Sequence, residues 1–170
     1  MSKCKITIFV IVFLIANASS AFACVCAETT FDETVLQSKA VFSGKVVKAE
    51  YKKGIVTKLK EEGPQPAGKK VEYEVLVVTF EVERWWKGGA TAEVSLITEQ
   101  TKYANGFIGV SSCDYEYTVG EKYLVFAHAD KDRLISGVCT PTNKLERANK
   151  ELELLGEGKE PEKLRNPSVQ

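Results

Sequence analysis

Apolar and polar positions alternate with a period of two through much of this chain, and that pattern predicts strands. It is clearest from Val71 to Trp86 (VEYEVLVVTFEVERWW), where Tyr73, Val75, Val77, Thr79, Phe80 and Val82 are all β-formers. From Phe80 onward, Phe80, Val82 and Arg84 share one face and Glu81, Glu83 and Trp85 the other. A strand this long is expected to bend across a barrel, and Lys87-Gly88-Gly89 ends it. Further strands are predicted over Ala40 to Ala49, Glu93 to Thr98, Tyr123 to Ala129 and Leu134 to Val138. Gly44 marks a bulge or close approach in the first of these. Val119 to Lys122 reads as the turn before Tyr123.

Helical signals stand at both ends of this strand-rich region. Thr30-Phe31-Asp32-Glu33 is a capping box, with Thr30 as N-cap and Glu33 as its reciprocal partner. It opens a short helix with Phe31, Val35 and Leu36 on one side. Near the other end, Thr140 reads as an N-cap with Pro141 at the first helical position. Leu145, Ala148, Leu152 and Leu155 then fall on one face, and Gly156 stops the helix. Residues 51–70 carry many charges with Gly54, Gly63, Pro64, Pro66 and Gly68, the composition of a long loop. Residues 157–170 are expected to form a flexible tail. The fold class that follows is mainly β: an OB-type barrel, closed or partly open, with a short helix at each end. An immunoglobulin-like sandwich is the alternative, although cysteines paired at the terminus suit it poorly.

The first 23 residues read differently. Lys3 and Lys5 precede the apolar run Ile6 to Ala16, and Ala21-Phe22-Ala23 is a small-x-small cleavage site. The run is too short for an ordinary membrane span, so the segment is expected to be a signal peptide and the mature chain to carry no integral membrane span. The protein is accordingly expected to be secreted or extracytoplasmic, in a periplasm or at a cell surface. Bacterial lipoproteins are also cleaved before a cysteine. Acylation of Cys24 is therefore an alternative, although Phe22 and Ala21 depart from the usual lipoprotein pattern.

Cleavage after Ala23 sets the rest of the chemistry. Loss of Lys3 and Lys5 leaves 21 basic against 23 acidic residues, which gives no electrostatic reason to bind nucleic acid. Cys4 goes with the leader, and Cys24, Cys26, Cys113 and Cys139 remain. An even number of cysteines in an exported chain argues for two disulfides. Four cysteines allow three pairings, of which Cys24–Cys26 would close a strained small ring. A zinc site is the competing reading, but its spacings would be odd and His128 is the only histidine. His128 lies in an apolar strand, and no nucleophile–base pair can be argued around it. The chain is read as a non-enzyme without a cofactor of its own.

Cys24-Val25-Cys26 after the cleavage site resembles the mature start of the tissue inhibitors of metalloproteinases. Ala40 to Val47 (AVFSGKVV) resembles the family's first strand, and Trp86-Lys87-Gly88 its aromatic-Lys-Gly strand end. Glu121 to Ala127 after Cys113, and Leu134 to Cys139, resemble two more of its strands. The resemblance covers residues 24–156 and places them in the wider netrin-like superfamily of OB barrels. It implies the disulfides Cys24–Cys113 and Cys26–Cys139. It also implies that the α-amine and carbonyl oxygen of Cys24 cap the catalytic zinc of a metalloprotease partner. Val25 would then enter the specificity pocket, with Cys26, Ala27, Val110, Ser111 and Ser112 flanking it. The family's third N-terminal disulfide is missing, and Glu28-Thr29-Thr30 replaces its proline and histidine region. The alternative is a netrin-like binding or adhesion module for an extracellular or envelope protein.

Overall fold

Two long antiparallel strands, β1 (Ala40–Lys53) and β2 (Tyr73–Lys87), form the backbone of the structure, a computed structural model describing residues 24–53, 73–131 and 133–162. The expected leader 1–23, most of the expected loop 51–70 and residues 163–170 lie outside the described residues. After β2 come β3 (Glu93–Tyr103), β4 (Ile108–Gly109), β5 (Lys122–Asp130), β6 (Arg133–Ile135) and β7 (Asn143–Lys144). All seven described strands belong to one sheet. The first half of β1 pairs with β2 on one side and β5 on the other. β3 pairs antiparallel with β2 and parallel with β6, and β6 pairs antiparallel with β5. The order β1-β2-β3-β6-β5 therefore returns to β1 as a ring of hydrogen-bonded strands.

The ring explains the unbroken buried runs at Ala40–Gly44 and Tyr123–Ala127. Phe42, Val46, Val78, Phe80, Val82, Trp85, Leu96, Tyr123 and Val125 form one core cluster. Phe42 meets Phe80 edge-on at 5.4 Å, the arrangement that aromatic quadrupoles favour. Val41, Leu124 and Phe126 belong to a second cluster, packed against α1 (Phe31–Gln37) and α2 (Asn149–Leu155). A strand buried on both faces loses the alternation seen on half-exposed strands.

β2 departs from strict alternation for an identifiable reason. Ser43 is opposite Arg84 while Gly44 is opposite Val82, so Glu83 is an extra residue on β2. This bulge reverses the facing beyond it: Arg84 is exposed, and Trp85 is buried with Phe42 and Val82. Gly44 lies at this irregularity, where an added Cβ would stand 2.6 Å from Glu81 O.

α1 keeps its capping box, Glu33 N–H donating to Thr30 Oγ1 and Thr30 N–H to Glu33 Oε2. Its far end is held by Lys87 Nζ, which donates to the carbonyls of Val35 and Leu36. Phe31 and Val35 pack inward, whereas Leu36 is turned off that face and exposed.

The second helix starts later than Thr140. Thr140 Oγ1 donates to Gly137 O and accepts from Thr142 N–H, while Asn143 and Lys144 pair with β5 before a short 3-10 turn at Leu145–Arg147. Strand pairing thus takes the residues that would have formed the first helical turn. Leu145, Ala148, Leu152 and Leu155 still face the core as their spacing predicts. Nor does a loose tail begin at 157: Lys159 pairs with Trp85 through two backbone hydrogen bonds, and Glu162 N–H donates to Ala90 O. Strand-like pairing with β2 secures this stretch despite its polar composition. Among the described residues, no helix is long and apolar enough to cross a membrane.

Candidate functional site

Residues 24–30 run without regular structure into α1, and two disulfides fix their start. Cys24 is bonded to Cys113 in the loop between β4 and β5, and Cys26 to Cys139 in the loop between β6 and β7. The bridges span 89 and 113 residues of sequence. Chain-entropy reasoning gives each about 4–5 kcal/mol of stabilisation. With the capping box at Thr30, the short N-terminal segment is anchored at both ends.

The two receiving loops are themselves joined. Val138 N–H donates to Cys113 O at 3.0 Å, and Asp114 forms a strand-like bridge with Gly137. A Cβ on Gly137 would stand 2.6 Å from Cys113 O, so this approach needs glycine. Within the first loop, Cys113 N–H donates to Ser111 Oγ and Asp114 N–H to Ser111 O, which folds the loop into a turn before the half-cystine.

The ridge so formed is apolar where it meets solvent. Val25, between the two bridged cysteines, is 88% exposed. Val110 is 70% exposed, and Val138, next to Cys139, is 45% exposed. Cys26, Ala27, Ser112 and Cys139 are exposed, while Cys24, Ser111 and Cys113 are half-buried. Both cysteines of the Cys-x-Cys pair are thus brought to Cys113 and Cys139, and Ser111 and Ser112 immediately precede Cys113. The sulfurs of Cys24, Cys26 and Cys139 lie within 4.8 Å of one another, but all three are in disulfides and offer no thiolate to a metal.

Asp114 is the titratable group beside the ridge. Burial pushes its carboxyl above the usual aspartate value, and the charge of Glu99 adds to this. Hydrogen bonds from the backbone of Glu99 and Tyr115 and from the Thr98 hydroxyl oppose the shift. Behind it, Tyr115, Tyr117 and Tyr123 form an aromatic cluster, with Tyr115 and Tyr117 centroids 5.0 Å apart. Burial raises the Tyr117 hydroxyl far above the ordinary phenol range. His128 is half-buried in β5, opposite Ile135.

Gly137, Val138 and Asp114 join the two receiving loops, and the sequence pattern does not single them out. Their signal is only adjacency to a half-cystine. The β3–β4 hairpin has a plainer one, Asn105-Gly106, with Gly106 at φ 82°. Its tip exposes Phe107 and Ile108. No protein-family model matches the chain, and no curated protein matches it.

Proposed function

We propose that the mature chain is an exported inhibitor-like protein. In this reading it has a netrin-like barrel of the OB type and resembles the tissue inhibitors of metalloproteinases. It caps the catalytic zinc of a metalloendopeptidase with the Cys24 α-amine and carbonyl oxygen. The observation that carries this reading is the pair of bridges Cys24–Cys113 and Cys26–Cys139 with Val25 exposed between them. The five-stranded ring with a parallel β3–β6 contact supports the OB assignment, since its connectivity is not a simple meander.

The chemistry needs three conditions that the ridge favours. A catalytic zinc keeps an open position that an outside donor can fill. The donor amine must be neutral; its ordinary pKa of about 7.7–8.0 leaves a neutral fraction at pH 7, and the metal draws the equilibrium over. Oxidised Cys24 offers no thiolate to compete with its amine. Val25, branched and apolar, then fills a hydrophobic specificity pocket, and Val110, Ser111 and Ser112 flank it. The disulfides suit an oxidising compartment outside the cytosol.

The test is to place one extra alanine before Cys24 in the mature protein. Inhibition of a panel of zinc endopeptidases should be lost, since the chelating amine is displaced by a residue. If the unextended mature protein leaves the whole panel active at micromolar concentration, the zinc-capping reading is wrong.

A second reading is a protein-binding or adhesion module that uses another surface. Exposure of Phe107 and Ile108 at the β3–β4 tip favours it. Under it, the alanine extension is silent. Lipoprotein-type modification would attach its lipid to the Cys24 sulfur, which the bridge to Cys113 already occupies. An intact mass of the mature protein reports both the start at Cys24 and any attached lipid.

A further inference from the structure

We propose that the Cys26–Cys139 bridge is a thiol-exchange site, at which a small monothiol of the glutathione type makes the two disulfides swap partners. The inference does not depend on zinc capping. It starts from contact between the bridges: Cys24 Sγ and Cys139 Sγ, which are not bonded to each other, are 3.5 Å apart. A sulfur released from one bridge therefore emerges against an electrophilic sulfur of the other. Entry is set by exposure. Cys26 and Cys139 are exposed, whereas Cys24 and Cys113 are half-buried, so an external thiolate reaches the Cys26–Cys139 bridge first.

The sequence of steps balances without an oxidant. The monothiolate attacks Cys26 Sγ, forming a mixed disulfide and releasing the Cys139 thiolate. Cys139 attacks Cys24 Sγ, forming Cys24–Cys139 and releasing the Cys113 thiolate. Cys113 attacks the mixed disulfide at Cys26, forming Cys26–Cys113 and returning the monothiolate. Each step forms one S–S bond and breaks one, and the monothiol is a catalyst. The Val138–Cys113 hydrogen bond and the Asp114–Gly137 bridge hold the two receiving loops side by side throughout. The swap transfers residue 24 from the β4–β5 loop to the β6–β7 loop and so re-aims the N-terminus.

Two experiments decide it. In C113S, Cys24 has lost its partner, and the free thiol of the folded variant is alkylated and located by fragment-ion mass spectrometry. The expected label is divided between Cys24 and Cys26, because Cys139 exchanges between them. Label confined to Cys24 or to Cys139 overturns the proposal. The unsubstituted mature protein is tested in parallel with sub-stoichiometric glutathione, acid quenching and fragmentation with the bridges intact, and this arm decides if C113S does not fold. Cys24–Cys139 and Cys26–Cys113 linkages should appear only with the monothiol. Their rate of appearance should rise about tenfold per pH unit below the thiol's pKa, as thiolate fraction does. Unchanged pairing under these conditions overturns the proposal.

Discussion

Val138 N–H donates to Cys113 O at 3.0 Å, and this bond joins the two loops that receive the N-terminal cysteines. Neither disulfide alone would set the position of the Cys-x-Cys segment. The segment is fixed because its two anchors are fixed relative to one another, and Gly137 is what lets them meet.

Gly137→Ala should therefore destabilise the protein. The new Cβ would stand 2.6 Å from the Cys113 carbonyl oxygen, a backbone atom that cannot turn away. Overpacking of this kind costs about 1–3 kcal/mol. Urea unfolding should show a lower midpoint with both disulfides still formed by peptide mapping. Ser112→Ala, at an exposed position of the same loop, should leave the midpoint in place.

Lys159→Pro tests whether residues after α2 belong to the fold. Proline removes the N–H that donates to Trp85 O at 2.7 Å and leaves that carbonyl without its partner. The expected cost is about 1–3 kcal/mol. Only two tryptophans are present, Trp85 and Trp86, and both lie in this contact region, Trp86 Nε1 donating to Gly156 O. Tryptophan fluorescence should therefore shift in the native state as well as report an earlier unfolding transition. A native spectrum and midpoint identical to the parent's would mean the strap contributes nothing.

Local signals carried far in this chain, and non-local ones did not. The Thr30 capping box was legible because all its partners lie within four residues. The inward face of Leu145, Ala148, Leu152 and Leu155 followed from helical spacing. The start of that helix did not, because pairing of Asn143 with Leu124 competes for the same residues. The burial of Trp85 against Arg84 was likewise hidden, since it depends on a bulge at Glu83 that only the partner strand defines. At the ridge, the even number of cysteines argued for two disulfides, and the bridges found are the pairing that the resemblance implied. Gly137 and Val138 were not, because their role is an approach between two loops far apart in sequence.

Val25→Gly tests the proposed pocket contact separately from the zinc contact. Val25 touches solvent over most of its surface, so its loss should not disturb folding. Burying a valine side chain contributes about 1.5–3 kcal/mol, which predicts inhibition weaker by about ten- to a hundredfold. The inhibition constant against a sensitive zinc endopeptidase measures it, with the thermal midpoint as control. Equal potency of the two proteins would place Val25 outside the contact.

Asp114 sets a pH dependence whose sign can be worked out. Burial, with Glu99 nearby, raises its pKa in the folded protein above the value in the unfolded chain. The folded state then keeps the proton to higher pH than the unfolded state does. Stability rises with pH only where the unfolded state binds more protons, so this group lowers stability as pH climbs. The loss begins near the ordinary aspartate pKa, about 3.9, and is complete above the raised folded value. Asp114→Asn cannot ionise, and its side-chain oxygen can still accept from Tyr115 N–H, a contact of 3.0 Å in the parent. The unfolding free energy of D114N minus that of the parent should therefore increase with pH across this window and level off above it. Urea titrations in a series of buffers from acid to neutral pH measure that difference directly. A difference that stays flat, or that falls as pH rises, would show that hydrogen bonds from Glu99, Tyr115 and Thr98 outweigh burial at this carboxyl.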